Sequence, residues 1–153
     1  MSAIERVGVV GAGQMGGGIA QVAAMSGHET IVQDAYPEAL DRCKGAHEKR
    51  LARLVEKEKI SRQDADDALA RITYASSIDD LAPSDIVIEA VVEDVAVKRD
   101  LFARFAAMFT GDQILASNTS SISITEIAAA ARTSSSDAAE RVIGMHFFNP
   151  VPI

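Results

Sequence analysis

The sequence predicts an α/β fold, a parallel doubly wound sheet with a helical hairpin inserted after its second strand. Three observations carry this expectation. An apolar run, Val7 to Val10, ends in Gly11–Ala12–Gly13–Gln14–Met15–Gly16 and continues as a helix-like stretch. Short apolar segments then alternate with segments of helical period, and such alternation builds a parallel sheet covered by helices. Finally, the residues with notable chemistry fall just after strand ends, where open α/β sheets bind their ligands.

Strand one is expected over residues 4–10. Between a strand and a helix, Gly-x-Gly-x-x-Gly is a dinucleotide-binding fingerprint. Gly11 suits the tight turn, Gly13 lets backbone approach a pyrophosphate, and Gly16 lets helix and strand pack closely. The plain alternative is a turn that needs positive φ. Helix Gln14–Met25 follows and stops at Ser26–Gly27, where Gly suits a helix C-terminus. Its N-terminus, carrying Gln14 and Met15, offers unpaired N–H groups and partial positive charge to an anion. His28 is expected as an exposed loop residue. Ile31, Val32 and Gln33 form strand two, which ends at Asp34. A carboxylate at this distance from the glycines accepts hydrogen bonds from the adenosine ribose. Motif and acid together predict a Rossmann-type domain that binds NAD, without the 2′-phosphate that Asp34 would repel.

Pro37 suits the first turn of a helix. Leu40, Cys43, His47, Leu51, Leu54 and Val55 then share one face, and this helix is expected to reach about Lys59. Ser61 with Asp64 reads as the cap of a second helix ending near Ala70. Between Arg42 and Arg62 stand eight basic residues against three acidic ones. This is either a solvated helix face or a docking patch for a polyphosphate ligand. Cys43 reads as a packing residue.

Ile72, Thr73 and Tyr74 form a short strand, residues 76–83 a polar connection, and residues 85–90 a strand buried on both faces. Its carboxyl-end loop contains Glu93. A helix over 95–109 is expected to bury Val97, Leu101, Phe105 and Met108. The strand Ile114–Leu115–Ala116 runs into Ser117–Asn118–Thr119–Ser120–Ser121. Ser123 and Glu126 have capping-box spacing, with Ile122 and Ile127 spaced as a hydrophobic staple. After a polar loop at 133–137, a last strand over 141–145 ends at His146.

At 153 residues the chain makes one domain. Its net charge of -7 argues against general nucleic-acid binding. No apolar run has membrane-spanning length, and residues 1–6 lead almost directly into a strand, so neither an anchor nor a signal peptide is expected. One cysteine makes no internal disulfide and suits a reducing cytoplasm. No Cys/His cluster has metal-ligand spacing, so no metal is expected.

Four stretches identify a family resemblance: residues 11–21 (GAGQMGGGIAQ), 88–98 (IEAVVEDVAVK), 117–121 (SNTSS) and 146–152 (HFFNPVP). The chain resembles the 3-hydroxyacyl-CoA dehydrogenases, including the bacterial 3-hydroxybutyryl-CoA dehydrogenases of fatty acid metabolism. The resemblance implies that His146 is the general base that takes the hydroxyl proton as hydride leaves for the nicotinamide. It makes Ser120 the hydrogen-bond donor to the substrate oxygen and a neighbour of the cofactor. Glu93, Lys98 and Asn149 match cofactor contacts. The hairpin would lie beside coenzyme A, with Lys49 and Lys57 as candidate contacts to an acyl-CoA substrate. Family members continue past HFFNPVP with a carboxylate that pairs with the histidine and a helical domain that carries most of a homodimer interface. The chain is therefore expected to hold the cofactor domain alone, as a fragment or a short relative, and to be nearly inactive by itself. A surface apolar enough to meet the helical domain is expected too. Two other readings stay open: an NAD(H)-binding or sensing module without turnover, and a piece of a multifunctional fatty-acid oxidation protein.

Overall fold

The computed structural model describes residues 3–134 and 136–152. Met1, Ser2, Ser135 of the polar loop and the last residue, Ile153, lie outside the described residues, and so do the expectations that fall on them. Six parallel strands form one sheet in the order β3-β2-β1-β4-β5-β6. They are β1 (Arg6–Val10), β2 (Glu29–Gln33), β3 (Ile72–Ala75), β4 (Ile86–Glu89), β5 (Ile114–Ser117) and β6 (Val142–Gly144). The order reverses between β1 and β4, and the crevice at such a switch point is where doubly wound sheets take ligands.

The helices are α1 (Gln14–Met25), α2 (Pro37–Glu56), α3 (Arg62–Ala70), α4 (Val95–Met108) and α5 (Ile124–Arg132). One face of the sheet packs Val9, Ile88 and Val32 against Ile19, Ala20 and Leu40 of α1 and α2. The other packs Val10, Val87 and Leu115 against Phe102, Phe105 and Ile127 of α4 and α5. Fully burying one such side chain contributes roughly 1.5–3 kcal/mol. Leu51, Ala65 and Ala68 give the α2–α3 hairpin a small core of its own.

Several boundaries differ from expectation for physical reasons. Helix α2 stops at Glu56 instead of near Lys59, because Glu58 takes a left-handed φ of 55°. Lys59 N–H then reaches Leu54 O at 2.9 Å and Glu58 N–H reaches Val55 O at 2.9 Å, a Schellman closure on a non-glycine residue. Short 3-10 turns at Ile78–Leu81 and Ala138–Arg141 fall in stretches that read as irregular. His28 is half-buried. Ser61 and Asp64 form both halves of a capping box, whereas at α5 only Ser123 accepts, from Glu126 N–H. The Glu126 carboxylate pairs instead with Arg99 at 3.6 Å.

The buried face of α4 is the main correction. It consists of Lys98, Phe102, Phe105 and Ala106, while Val97 is 44% exposed and Leu101 and Met108 are half-buried. A buried lysine disguises the stripe: counted as polar, Lys98 rotates the apparent apolar face by one position.

Candidate functional site

The β1–α1 turn is built by its glycines. Gly11 has φ +101°, and a Cβ there would lie 2.6 Å from Ala90 O. Gly16 approaches so closely that an added Cβ would meet Gly11 O at 1.8 Å. Gly13, by contrast, has nothing within 4 Å of a built Cβ. It is the N-cap of α1 and supplies no side-chain hydrogen bond. The turn thus presents an open backbone face and helix N–H groups, the donor set a pyrophosphate requires.

Asp34 stands at the end of β2 beside this turn. Its Oδ2 accepts from Ala12 N–H at 2.9 Å and its Oδ1 from Tyr36 N–H at 3.0 Å. A groove of about 1160 Å³ runs past Gly11, Gly13 and Asp34 to Val91, Val97 and Leu101. Ala90 and Val91 also line a second cavity of about 310 Å³, bounded by Met15, Glu93, Lys98, Ser120, His146 and Asn149. The two spaces adjoin along the carboxyl ends of β1 and β4.

The second cavity gathers the residues singled out after β4, β5 and β6. Thr119 Oγ1 donates to Glu93 Oε1, and Phe147 N–H donates to Asn118 Oδ1 at 2.7 Å. Gln14 Nε2 donates to Asn149 Oδ1 at 3.1 Å, and the Asn149–Pro150 peptide is cis. His146 and Ser120 are exposed. The His146 ring lies 4.6 Å from that of Phe148, and among the described residues the imidazole makes no hydrogen bond. Ile143, Met145 and Phe148 of the same segment are exposed, Phe148 at 77%.

Lys98, which matches a cofactor contact, is buried. Its side chain is 1% exposed, with Nζ 2.5 Å from Glu89 Oε1. An ammonium has three donors, so two remain for other partners. Lys49 and Lys57 are exposed on or just after α2 and line neither cavity.

Two buried polar groups escaped sequence reasoning. Glu89 read as a strand residue in an apolar run. His47 read as one more position on the apolar face of α2, yet it is wholly buried, with Nδ1 2.6 Å from Tyr74 Oη and Nε2 2.7 Å from Gly17 O. A carbonyl only accepts, so Nε2 carries the hydrogen and Nδ1 accepts from the tyrosine. Burial, with Arg50 nearby, lowers the His47 pKa despite the opposing bond to Gly17. Burial also raises Tyr74 and pushes Cys43 up to about 11, which suits a packing thiol. A histidine inside an apolar stripe was the available signal. Among the described residues no group of three or more His, Cys, Asp or Glu is arranged to hold a metal, and no helix is long and apolar enough to cross a membrane.

Residues 6–153 match the family model described as the 3-hydroxyacyl-CoA dehydrogenase NAD binding domain. A probable 3-hydroxybutyryl-CoA dehydrogenase of Deinococcus radiodurans is 49% identical over 149 residues, covering 97% of this chain and 51% of the relative. The 3-hydroxyadipyl-CoA dehydrogenase of Escherichia coli is 41% identical over 150 residues, covering 98% and 30%. The crystal structure of (S)-3-hydroxybutyryl-CoA dehydrogenase from Ralstonia eutropha aligns with a TM-score of 0.91 at 44% identity, over 99% of this chain and 52% of that one. The chain spans about half the length of the 3-hydroxybutyryl-CoA dehydrogenases it matches.

Proposed function

Since the chain belongs to the 3-hydroxyacyl-CoA dehydrogenase family, as its NAD-binding domain, we propose that it serves the oxidation of 3-hydroxyacyl-CoA to 3-oxoacyl-CoA, or the reverse. The observation that carries this reading is the convergence of Glu93, Ser120, His146 and Asn149 on one cavity adjoining the glycine turn. NAD, when bound, supplies the hydride acceptor. Gly11 and Gly13, with Gln14 and Met15 at the head of α1, hold its pyrophosphate, Gly16 lets the helix pack against that turn, and Asp34 accepts from the adenosine ribose. Glu93, Lys98, Ser120 and Asn149 line the nicotinamide end. Ser120 Oγ orients the substrate oxygen. His146 takes the hydroxyl proton at an imidazole nitrogen, the general-base role to which histidine is suited. Lys49 and Lys57 meet the phosphates of coenzyme A. A helical region of the family kind completes the site and carries homodimer contacts, and the enzyme works in the cytoplasm.

A second reading, an NAD(H)-binding module without turnover, is favoured by one observation: among the described residues nothing hydrogen-bonds His146 to hold its tautomer. One experiment separates the two. The 153-residue chain is titrated with NADH, and acetoacetyl-CoA reduction is assayed with the chain joined to the helical region of a relative. Binding with turnover that falls by about 10²–10⁴-fold in His146→Ala supports the dehydrogenase. Binding with no turnover above that of His146→Ala supports the module. No binding of NADH removes both.

A further inference from the structure

The last paired row of the three central strands is Val10, Glu89 and Ser117. Beyond this row the chain leaves the sheet as the loops that carry the site. Glu89, at the centre, is 0% exposed, and Lys98 of α4 is 1% exposed against it. Both carboxylate oxygens are engaged. Oε1 accepts from Val91 N–H at 2.8 Å and from Lys98 Nζ, and Oε2 accepts from Ser117 Oγ at 2.6 Å. Ser117 Oγ in turn receives Thr119 N–H at 3.3 Å. Thr119 Oγ1 donates to Glu93 and accepts from Ile122 N–H at 3.0 Å. Met145 N–H reaches Ser117 O at 2.8 Å, and Asn118 Oδ1 holds Phe147 N–H, so His146 is bracketed from the same loop.

The geometry points to Glu89 and Lys98 as a positioning pair for the nicotinamide end of the cavity. They act through Ser117 and Thr119 to set Glu93, Ser120 and His146, and Lys98, besides lining the cavity, is the counter-ion of Glu89. This inference rests on the assignment of that cavity to the nicotinamide. Burial of both groups gives it a signature. Removing one partner leaves an uncompensated buried charge, whereas removing both leaves none. The two substitutions should therefore compensate each other, as coupled neighbours do.

The test compares NADH with ADP-ribose, which lacks the nicotinamide, by titration and competition on the intact chain. Glu89→Gln and Lys98→Met are each expected to weaken NADH about tenfold or more, and the double variant to bind no more weakly than Lys98→Met alone, well short of the product of the two losses. ADP-ribose affinity should stay within about twofold throughout, because its groups lie in the neighbouring groove. Should the charge variants fail to fold, Ser117→Ala cuts the link and leaves the pair intact; it is expected to weaken NADH about three- to tenfold and to spare ADP-ribose. A double variant whose loss equals the product of the two single losses would make Glu89 and Lys98 independent and overturn the proposal. Parallel loss of NADH and ADP-ribose would reduce the pair to general scaffolding, and unchanged NADH binding in Ser117→Ala would break the relay. If the parent binds ADP-ribose and NADH equally well, the nicotinamide end contributes nothing and the proposal fails. If the parent binds neither, it is the cofactor assignment itself that fails.

Discussion

Asp34 Oδ2 accepts the backbone N–H of Ala12 at 2.9 Å, so the acid that ends β2 is tied to the glycine turn that ends β1. Its other oxygen accepts from Tyr36 N–H. The carboxylate is thereby held in one orientation at the mouth of the larger groove, with acceptor capacity left for ribose hydroxyls.

This fixes the first prediction. The anchored carboxylate repels a 2′-phosphate, and neither Ala35 nor Tyr36 offers a compensating cation. NADH should bind about ten- to a hundredfold more tightly than NADPH, which is roughly 1.4–2.7 kcal/mol. Asp34→Ala should erase most of that difference. Fluorescence titration of both nucleotides checks it, and equal affinities in the parent would contradict it.

The glycines should separate stability from binding. Gly16→Ala puts a Cβ within 1.8 Å of Gly11 O, and such overpacking typically costs about 1–3 kcal/mol or more. Gly13→Ala meets no atom within 4 Å and has φ -72°, which any residue adopts. It should leave the urea midpoint nearly unchanged while lowering NADH affinity about tenfold or more, because its methyl occupies the face offered to the pyrophosphate. Equal loss of stability in the two variants would mean the turn is not open at Gly13.

His47 makes stability depend on pH. Its folded pKa is lowered by burial, while the unfolded chain takes up the proton near about 6.5. Over that window the unfolded state binds more protons, so the contribution is whole above about pH 6.5 and is lost as pH falls through the folded value. Urea midpoints at pH 7.5 and 5.5 should differ in the parent and differ less in His47→Gln. Tyr74→Phe, which leaves Nδ1 without its donor, should cost about 1 kcal/mol at either pH. An equal pH response in His47→Gln would assign the effect to other groups.

The basic hairpin faces a salt test. Lys49 and Lys57 are exposed and stand apart from both cavities, so any contact with coenzyme A phosphates is a surface one. Each Ala substitution should weaken acyl-CoA binding about two- to fivefold. The double variant should also show a flatter dependence on salt, since exposed charges are screened over about 10 Å at 0.1 M. Unchanged affinity and salt slope would leave the hairpin as a solvated helix face.

Local pattern was enough for the strand–turn–helix unit, the hairpin after β2 and the α/β class. Periodicity, caps and glycine spacing are properties of neighbouring residues, and a neighbour in sequence is present whatever the rest of the chain does. The loops at strand ends were legible for the same reason, because strand direction alone puts them on one edge of the sheet. Other features required partners on other elements. Lys98 is inside because Glu89, nine positions earlier, turns its carboxylate to the same buried point, and no helical period shows that. His47 is satisfied by Gly17 of α1 and Tyr74 of β3, which only the packed fold brings together. The sequence by itself determined the strands and α-helices, though not the closure of α2 at Glu58 or the two 3-10 turns. The tertiary structure alone decided which polar side chains are buried, since a charge or an imidazole leaves water only where a partner on another element replaces its hydrogen bonds.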